Sequence, residues 1–172
     1  MRIRIKGMEE ASAEIIAAVR SGVDSALEVC GARGQALVQQ NITSPFLGRP
    51  PAVATGILVN SITFEVSREV SIARAVVFAA PPADKYVDPV ETGTMPHFPP
   101  PHALLLWVRR KFGVDDEKKA LSIAFAVART IAKRGTSGFG MFARATPVLE
   151  AEAPGIFERS IAASIEQAGL AK

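Results

Sequence analysis

Cysteine is almost missing from this 172-residue chain, where Cys30 stands alone. One thiol excludes an internal disulfide and fits a reducing compartment. On a helix it reads as a small buried hydrophobe. Long apolar runs are missing as well. Uncharged stretches such as Ala120 to Ala128 fall far short of the roughly 20 residues that a membrane span needs. No apolar region follows the basic Met1 to Lys6 stretch as a secretory leader would require. The expectation is a soluble protein, intracellular when made, with no membrane partner.

Catalytic signatures are equally scarce. The chain contains no G-x-S-x-G nucleophile turn. Arg134-Gly135-Thr136-Ser137-Gly138-Phe139-Gly140 has the glycine content of a phosphate loop. It lacks the Gly-Lys-Ser/Thr ending and the preceding strand, and reads as a flexible surface loop or an inter-subunit contact. His97 and His102 flank a proline tract near Asp84, Asp88 and Glu91, without the ligand spacing of a metal site. Both read as loop surface. The expectation is no enzyme activity, no metal and no cofactor. A small hydrolase built on Asp84, His97 and His102 is the remaining catalytic reading, which chelation or His97→Ala would test.

What is present is ordinary globular composition: 48% apolar and 22% charged residues, with a net charge of +3. The length implies one domain, 1–172, able to bury roughly 70% of its unfolded surface. The stretch around which the chain is organised is Tyr86 to Pro101, YVDPVETGTMPHFPPP. Tyr86, Val87 and Val90 read as a short strand, confined by Pro89 to an edge or bulge. Glu91 to Thr94 turn the chain at Gly93, and Pro96 and Pro99 to Pro101 force a stiff, extended exit. A strand with a fixed turn and a rigid exit presents something to a partner.

In chain order, Arg2 to Lys6 alternates with period two, predicting a strand with Ile3 and Ile5 inward. From about Glu9 the period becomes helical through Ile15, Val19, Val23, Leu27 (or Ala26), Cys30, Leu37 and Asn41, the helix running to about Gln40. Gly31 and Gly34 are its soft points. Ser44 to Pro51 is a proline-punctuated loop. Ile62, Phe64 and Val66 alternate with polar residues. After Arg68-Glu69 a second alternating run, Val70 to Phe78, completes an antiparallel hairpin. With the Tyr86 strand this predicts a three-stranded meander, and the N-terminal strand makes a fourth.

These residues, in order, resemble the neck and tail-completion family of long-tailed double-stranded DNA bacteriophages, which includes minor tail and head–tail joining proteins. The likeness rests on RIRIKG before a long Ala-rich helix, and on Thr55-Gly56-Ile57-Leu58-Val59-Asn60-Ser61-Ile62 as TG-x-L-x-x-S-I. It also rests on Tyr86 with Val90-Glu91-Thr92-Gly93-Thr94, and on Met141 to Ala145 before a last helix. It covers most of the chain but not residues 102–138, which are longer than the simple turn of many members. The resemblance implies a structural virion protein: a homo-oligomeric ring of six subunits, or twelve. The ring would join the head connector or head-closure protein to the tail terminator or tail tube, with genomic DNA passing through its lumen. Location would be the virion neck or tail, and the host cytoplasm during assembly. The implied interface is Tyr86, Asp88, Glu91, Thr92, Gly93 and Thr94, with Thr55, Gly56 and Ser61. On this reading Glu91→Ala leaves the monomer folded and impairs assembly.

The 102–138 segment has its own logic. Ala103 to Phe112 reads as a short helix stopped by Gly113. Asp115 and Asp116 open a second one, Glu117 to about Lys133, with Leu121, Phe125, Ala128 and Ile131 (or Ala132) inward, widened by Ile123 and Val127. Trp107 reads as core. Residues 109–144 carry nine basic and three acidic side chains, a local net of +6 against −3 elsewhere. Arg109, Arg110, Lys111, Lys133 and Arg134 either face a DNA channel or form solvated helix ends. A third reading pairs them with Glu91 or Asp88 of a neighbouring subunit. A nucleic-acid-binding module using this basic hairpin is the alternative function. At the C-terminus Pro147 and Pro154 predict a short helix near Ala143 to Ala153 and a last one to about Ala168, with Ile156, Phe157, Ile161 and Ile165 buried. The predicted class is α+β: a small, mostly antiparallel twisted sheet packed by the long N-terminal helix and the C-terminal helix, with an inserted helical hairpin.

Overall fold

The computed structural model describes residues 8–49, 51–53, 55–69 and 72–170; the strand predicted at Arg2 to Lys6 lies outside them. The fold is α+β and 66% helical, so helices rather than sheet carry most of the core. Among the described residues no helix is long and apolar enough to cross a membrane. Two compact units divide the chain. The first comprises Met1–Leu37, Thr63–Phe78 and Ala145–Lys172, the second Val38–Ile62 and Ala79–Arg144. Helix α1 (Met8–Thr43) and helix α6 (Met141–Gln167) contribute residues to both.

In the first unit α1 packs through small residues. Ala18, Ala26 and Cys30 are buried, whereas Ile15, predicted inward, is 47% exposed. Over the first half of α1 the buried stripe is turned by one residue, to Ala18 and Gly22, because the small side chains let other backbones come close. Leu27, Cys30 and Leu37 are buried as expected. A Cβ on Gly22 would stand 2.6 Å from the Ile161 Cα, and one on Gly34 would stand 2.9 Å from Val77 Cγ2. A Cβ on Gly31 would overlap the Phe64 ring. Gly31 and Gly34 are therefore contact surfaces and not soft points. Ala26, Cys30 and Ile156 form a core lined by Leu149, Ala153 and Phe157. The predicted hairpin is present as β1 (Ile62–Arg68) and β2 (Ala73–Ala79), an antiparallel pair. It is joined where the Glu69 amide donates to the Ile72 carbonyl at 2.8 Å.

The C-terminus departs from the two predicted helices. One continuous helix, α6, replaces the two broken ones, with Pro147 and Pro154 inside it. Each proline forgoes an intrahelical bond, at a cost of about 3 kcal/mol. The packing of Leu149, Ala153, Ile156 and Phe157 on α1 offsets that loss. Ion pairs tie the surface of this unit. Arg33 grips Glu152 bidentately at 2.6 and 2.8 Å, Arg68 reaches Asp24 at 2.8 Å, and Arg74 reaches Glu69 at 2.9 Å. The hydrogen bonds from Arg33 hold the Glu152 carboxyl below its ordinary range.

The second unit corrects the meander. The sheet of β1 and β2 has two strands, and Tyr86 to Val90 is not a third. Val87–Thr92 is a short helix, α3. Pro89 sits in its first turn, where a missing N–H costs nothing; the property that suggested an edge strand serves equally well to open a helix. Ile57–Ser61 is another short helix, α2, begun at Gly56 with φ 77°. The proline tract stays extended only as far as Pro100, because Pro101–Leu104 forms a single turn of 3-10 helix.

The helical hairpin is present as α4 (Leu105–Phe112) and α5 (Glu117–Arg134). Gly113 ends α4 at φ 62°, and the Asp116 carboxylate caps α5 by accepting from the Lys119 amide at 2.7 Å. The buried face of α5 is Ala120, Ala124 and Ala128, all at 0% exposure, while Phe125 is 40% exposed. Val108 packs on Ala120 and Ala124, flanked by Leu104, Leu105, Trp107 and Val114. An alanine stripe admits the neighbouring helix closely enough for Val108 to be wholly buried. Trp107, read as core, is half-buried there, edge-on to Phe112 at 5.9 Å.

Candidate subunit interface

The motif Val90 to Thr94 is the centre of a closed structure within the second unit. Gly93–Thr94 (β3) pairs antiparallel with Thr136–Ser137 (β4), and the Thr94 and Thr136 hydroxyls lie 2.9 Å apart. The loop predicted to be flexible at residues 134–140 is therefore paired. Gly93 has φ 84°, and a Cβ there would overlap the Thr136 carbonyl, so both the turn and the contact demand glycine. Beyond β4 the Phe139 amide donates to Val90 O at 2.8 Å, and the Gly140 amide to Glu91 O at 3.0 Å.

Glu91 completes the clasp. Its carboxylate accepts from the amides of Phe142 at 3.1 Å and Ala143 at 2.9 Å, the exposed donors of the first turn of α6. Gly140, just before that helix, has no side-chain oxygen to offer, so Glu91, 51 positions before Phe142, supplies the cap and its negative charge. Glu91 is thus a bond of the fold itself. Its removal is expected to loosen the monomer, and the expectation of an intact fold for Glu91→Ala is revised.

A second node fixes the loop after α1. Phe46 and Arg49 exchange both backbone hydrogen bonds, at 3.0 and 2.9 Å, around Leu47 (φ 48°) and Gly48 (φ 72°). Positive φ at both central residues makes this a primed two-residue turn. The Arg144 guanidinium lies 4.1 Å over the Phe46 ring and donates to the carbonyls of Asn41 at 2.8 Å and Gly140 at 3.2 Å. Arg49 donates to Gly138 O at 2.8 Å and Ser137 O at 3.2 Å, and stands 5.2 Å from the Phe139 ring centre. Rings and guanidinium groups alternate, each cation on an aromatic face. Leu47 projects from this base and is 83% exposed. Met95, next after β3, is 85% exposed, and Phe98 is 53% exposed.

The remaining predicted residues fall around this centre. Tyr86 and Asp88 are exposed at the start of α3, and partial burial pushes the Tyr86 phenol up from its ordinary value. The Thr92 hydroxyl turns back to Asp88 O at 2.9 Å. Thr55 accepts from the Ile57 amide at 3.3 Å, and Ser61 O accepts from Ala80 at 2.8 Å, so Thr55, Gly56 and Ser61 belong to the ends of α2. The basic residues do not form one lining. Arg109, Arg110 and Lys111 occupy the last turn of α4, beside the start of α5, with the Lys111 ammonium 5.6 Å from the Trp107 ring. Lys133 and Arg134 end α5. At 1.5 Å per residue the two clusters are separated by roughly 25 Å along that helix. His97 Nδ1 lies 2.9 Å from Met95 O, and among the described residues no group of three His, Cys, Asp or Glu is gathered for a metal.

Sequence reasoning assigned no role to Arg49, Phe46 or Leu47, and met Arg144 only within the Met141 to Ala145 run and Phe139 only within the 134–140 loop. Leu-Gly is not a hairpin signal as Asn-Gly is, and stacking between residues almost a hundred positions apart leaves no local pattern. Scans against protein-family models, curated proteins and solved structures find no match for this chain.

Proposed function

We propose that this chain is a structural virion protein of a phage neck or tail. It would assemble into a ring, of six or twelve copies, that joins the head connector to the tail tube and surrounds the passing DNA. The motif resemblance supplies the identity of the assembly. The observation that supports it most is the state of the Val90 to Thr94 motif: braced by the Glu91 cap and the β3–β4 pairing, and followed at once by a fully presented Met95. A rigid base carrying exposed apolar side chains suits binding, because little freedom is left to lose on association.

The test is the mass of the purified protein by light scattering, with negative-stain images. Closed rings, alone or beside a purified connector, support the reading. A monomer with every connector and tail-tube preparation overturns it.

A second reading is favoured by charge. The second unit carries eleven basic and six acidic side chains, counted over its residues, and both basic clusters are exposed. As a nucleic-acid module the chain would bind duplex DNA without sequence preference. Its affinity would fall linearly in log–log dependence on salt. Affinity indifferent to salt removes that reading.

A further inference from the structure

Leu47 is a local contradiction. A primed two-residue turn favours Asn, Asp or Gly at its first central position, and an aliphatic residue at positive φ is uphill. Burial does not compensate, since the side chain is 83% exposed. The turn is nevertheless held firmly from below by Arg144 on Phe46 and by Arg49 on the Gly138 and Ser137 carbonyls. A strained and exposed apolar residue, held in place by its surroundings, is the kind of local strain that collects at functional contacts.

We infer that Leu47 is the anchor by which one copy of this chain docks on the next, entering an apolar cavity in the first unit of its neighbour. That cavity, of ≈ 280 Å³, lies between α1, β2 and α6 and is lined by Leu27, Cys30, Val77, Leu149, Ala153 and Phe157, with Glu150 beside them. The cavity is open to solvent and lined mainly by apolar side chains, so an aliphatic side chain can enter it. Charge argues that the occupant is another copy. The second unit, which offers Leu47, has a net charge of +5, and the first, which holds the cavity, nine basic and eleven acidic side chains, a net of −2. At the contact itself Arg49 and Arg144 stand beside the Leu47 turn and Glu150 edges the cavity, so opposite charges favour the encounter and its orientation. The contact uses two different surfaces, so each copy keeps one free donor and one free acceptor, the head-to-tail arrangement that rings and filaments share. The inference rests on the self-assembly reading above and adds to it the contact that carries assembly.

Two variants of the full chain test it. Leu47→Asn suits the turn better, so its melting temperature is expected to be unchanged or raised, while self-association weakens at least tenfold in light scattering. Leu47→Cys places a thiol where it should meet Cys30 of the next copy. Because burial pushes the Cys30 thiol up, the oxidation is run at alkaline pH. A ladder beyond dimer on a non-reducing gel is expected, collapsing to dimers when Cys30→Ser is added. Wild-type assembly with undiminished assembly of Leu47→Asn overturns the anchor and leaves the ring reading intact. Dimers alone from Leu47→Cys with Cys30 present overturn the cavity as its seat. A wild type that stays monomeric at every concentration, with and without connector, removes both.

Discussion

Among the described residues, glycine in the first unit sits inside packed helices, apart from Gly169 at the end of α6 (φ 70°), whereas in the second it sits mainly at turns. Gly22, Gly31 and Gly34 are helical, and each is small because another chain segment occupies the space of a side chain. Gly48, Gly56, Gly93, Gly113, Gly135 and Gly140 all have positive φ. Arginine divides the same way. Arg33, Arg68 and Arg74 of the first unit find carboxylates, whereas Arg49 and Arg144 of the second find carbonyl oxygens and ring faces. The first unit is held by close approach of regular elements; the second, outside its α4–α5 hairpin, is held by individual bonds that fix irregular backbone. A structure of the second kind can hold side chains such as Leu47 and Met95 out in solvent without support of their own.

Single substitutions should separate the two modes. The largest effect is expected in the second unit from Gly93→Val, which combines unfavourable φ with overlap on the Thr136 carbonyl. A loss of about 3–5 kcal/mol should lower the melting temperature by roughly 10 °C or more in calorimetry. An unaltered transition would show that the clasp does not need that conformation. Gly22→Ala in the first unit strikes the Ile161 backbone, but α1 gains helix propensity of about 1 kcal/mol and two helices can slide apart. A net loss of about 1–2 kcal/mol is expected, and a gain in stability would mean that the helices have slack.

Glu91→Ala removes the cap on α6 and should lose about 1–2 kcal/mol. Glu91→Gln keeps an acceptor and should recover part of it, and equal losses for both would assign the effect to charge alone. Smallest is the pH response of the Arg33–Glu152 pair. The folded carboxyl titrates below its unfolded value, so its contribution is present above about pH 4.3 and is lost as the pH falls through the lower folded value. The difference in stability between wild type and Glu152→Gln should therefore shrink on acidification. A difference that is constant from neutral to acid pH would show that packing, not ionisation, matters there.

Features that depend on neighbours in sequence were legible. The Asp116 cap, the Gly113 stop, the hairpin of β1 and β2 and the long N-terminal helix all follow from patterns a few residues wide. Where a local signal admitted two outcomes, the structure chose by packing. Pro89 fits an edge strand or a first helical turn, and Pro147 and Pro154 break a helix only if nothing holds it together. On α5 the larger residues Leu121 and Phe125 suggested the inward face, yet close contact with α4 selected the alanines. Of the candidate site, Glu91, Gly93 and Thr94 were visible as a motif. Their partners at 136–143 were not, because nothing local marks a bond across some fifty residues.

That separation bears on the order of folding. The bonds from Glu91 to Phe142 and Ala143 close loops spanning 51 and 52 positions, and closing a loop of that size in an open chain is entropically slow. Most of the intervening residues belong to α4, α5 and the turn before α4, whose contacts are local. If that hairpin forms first, the loop still to be closed shrinks to about 20 flexible residues, which lowers the closure entropy by about 1 kcal/mol. The inserted segment would then act as a folding device for the clasp beneath it. Its replacement by a disordered linker of equal length should slow refolding more than it lowers equilibrium stability.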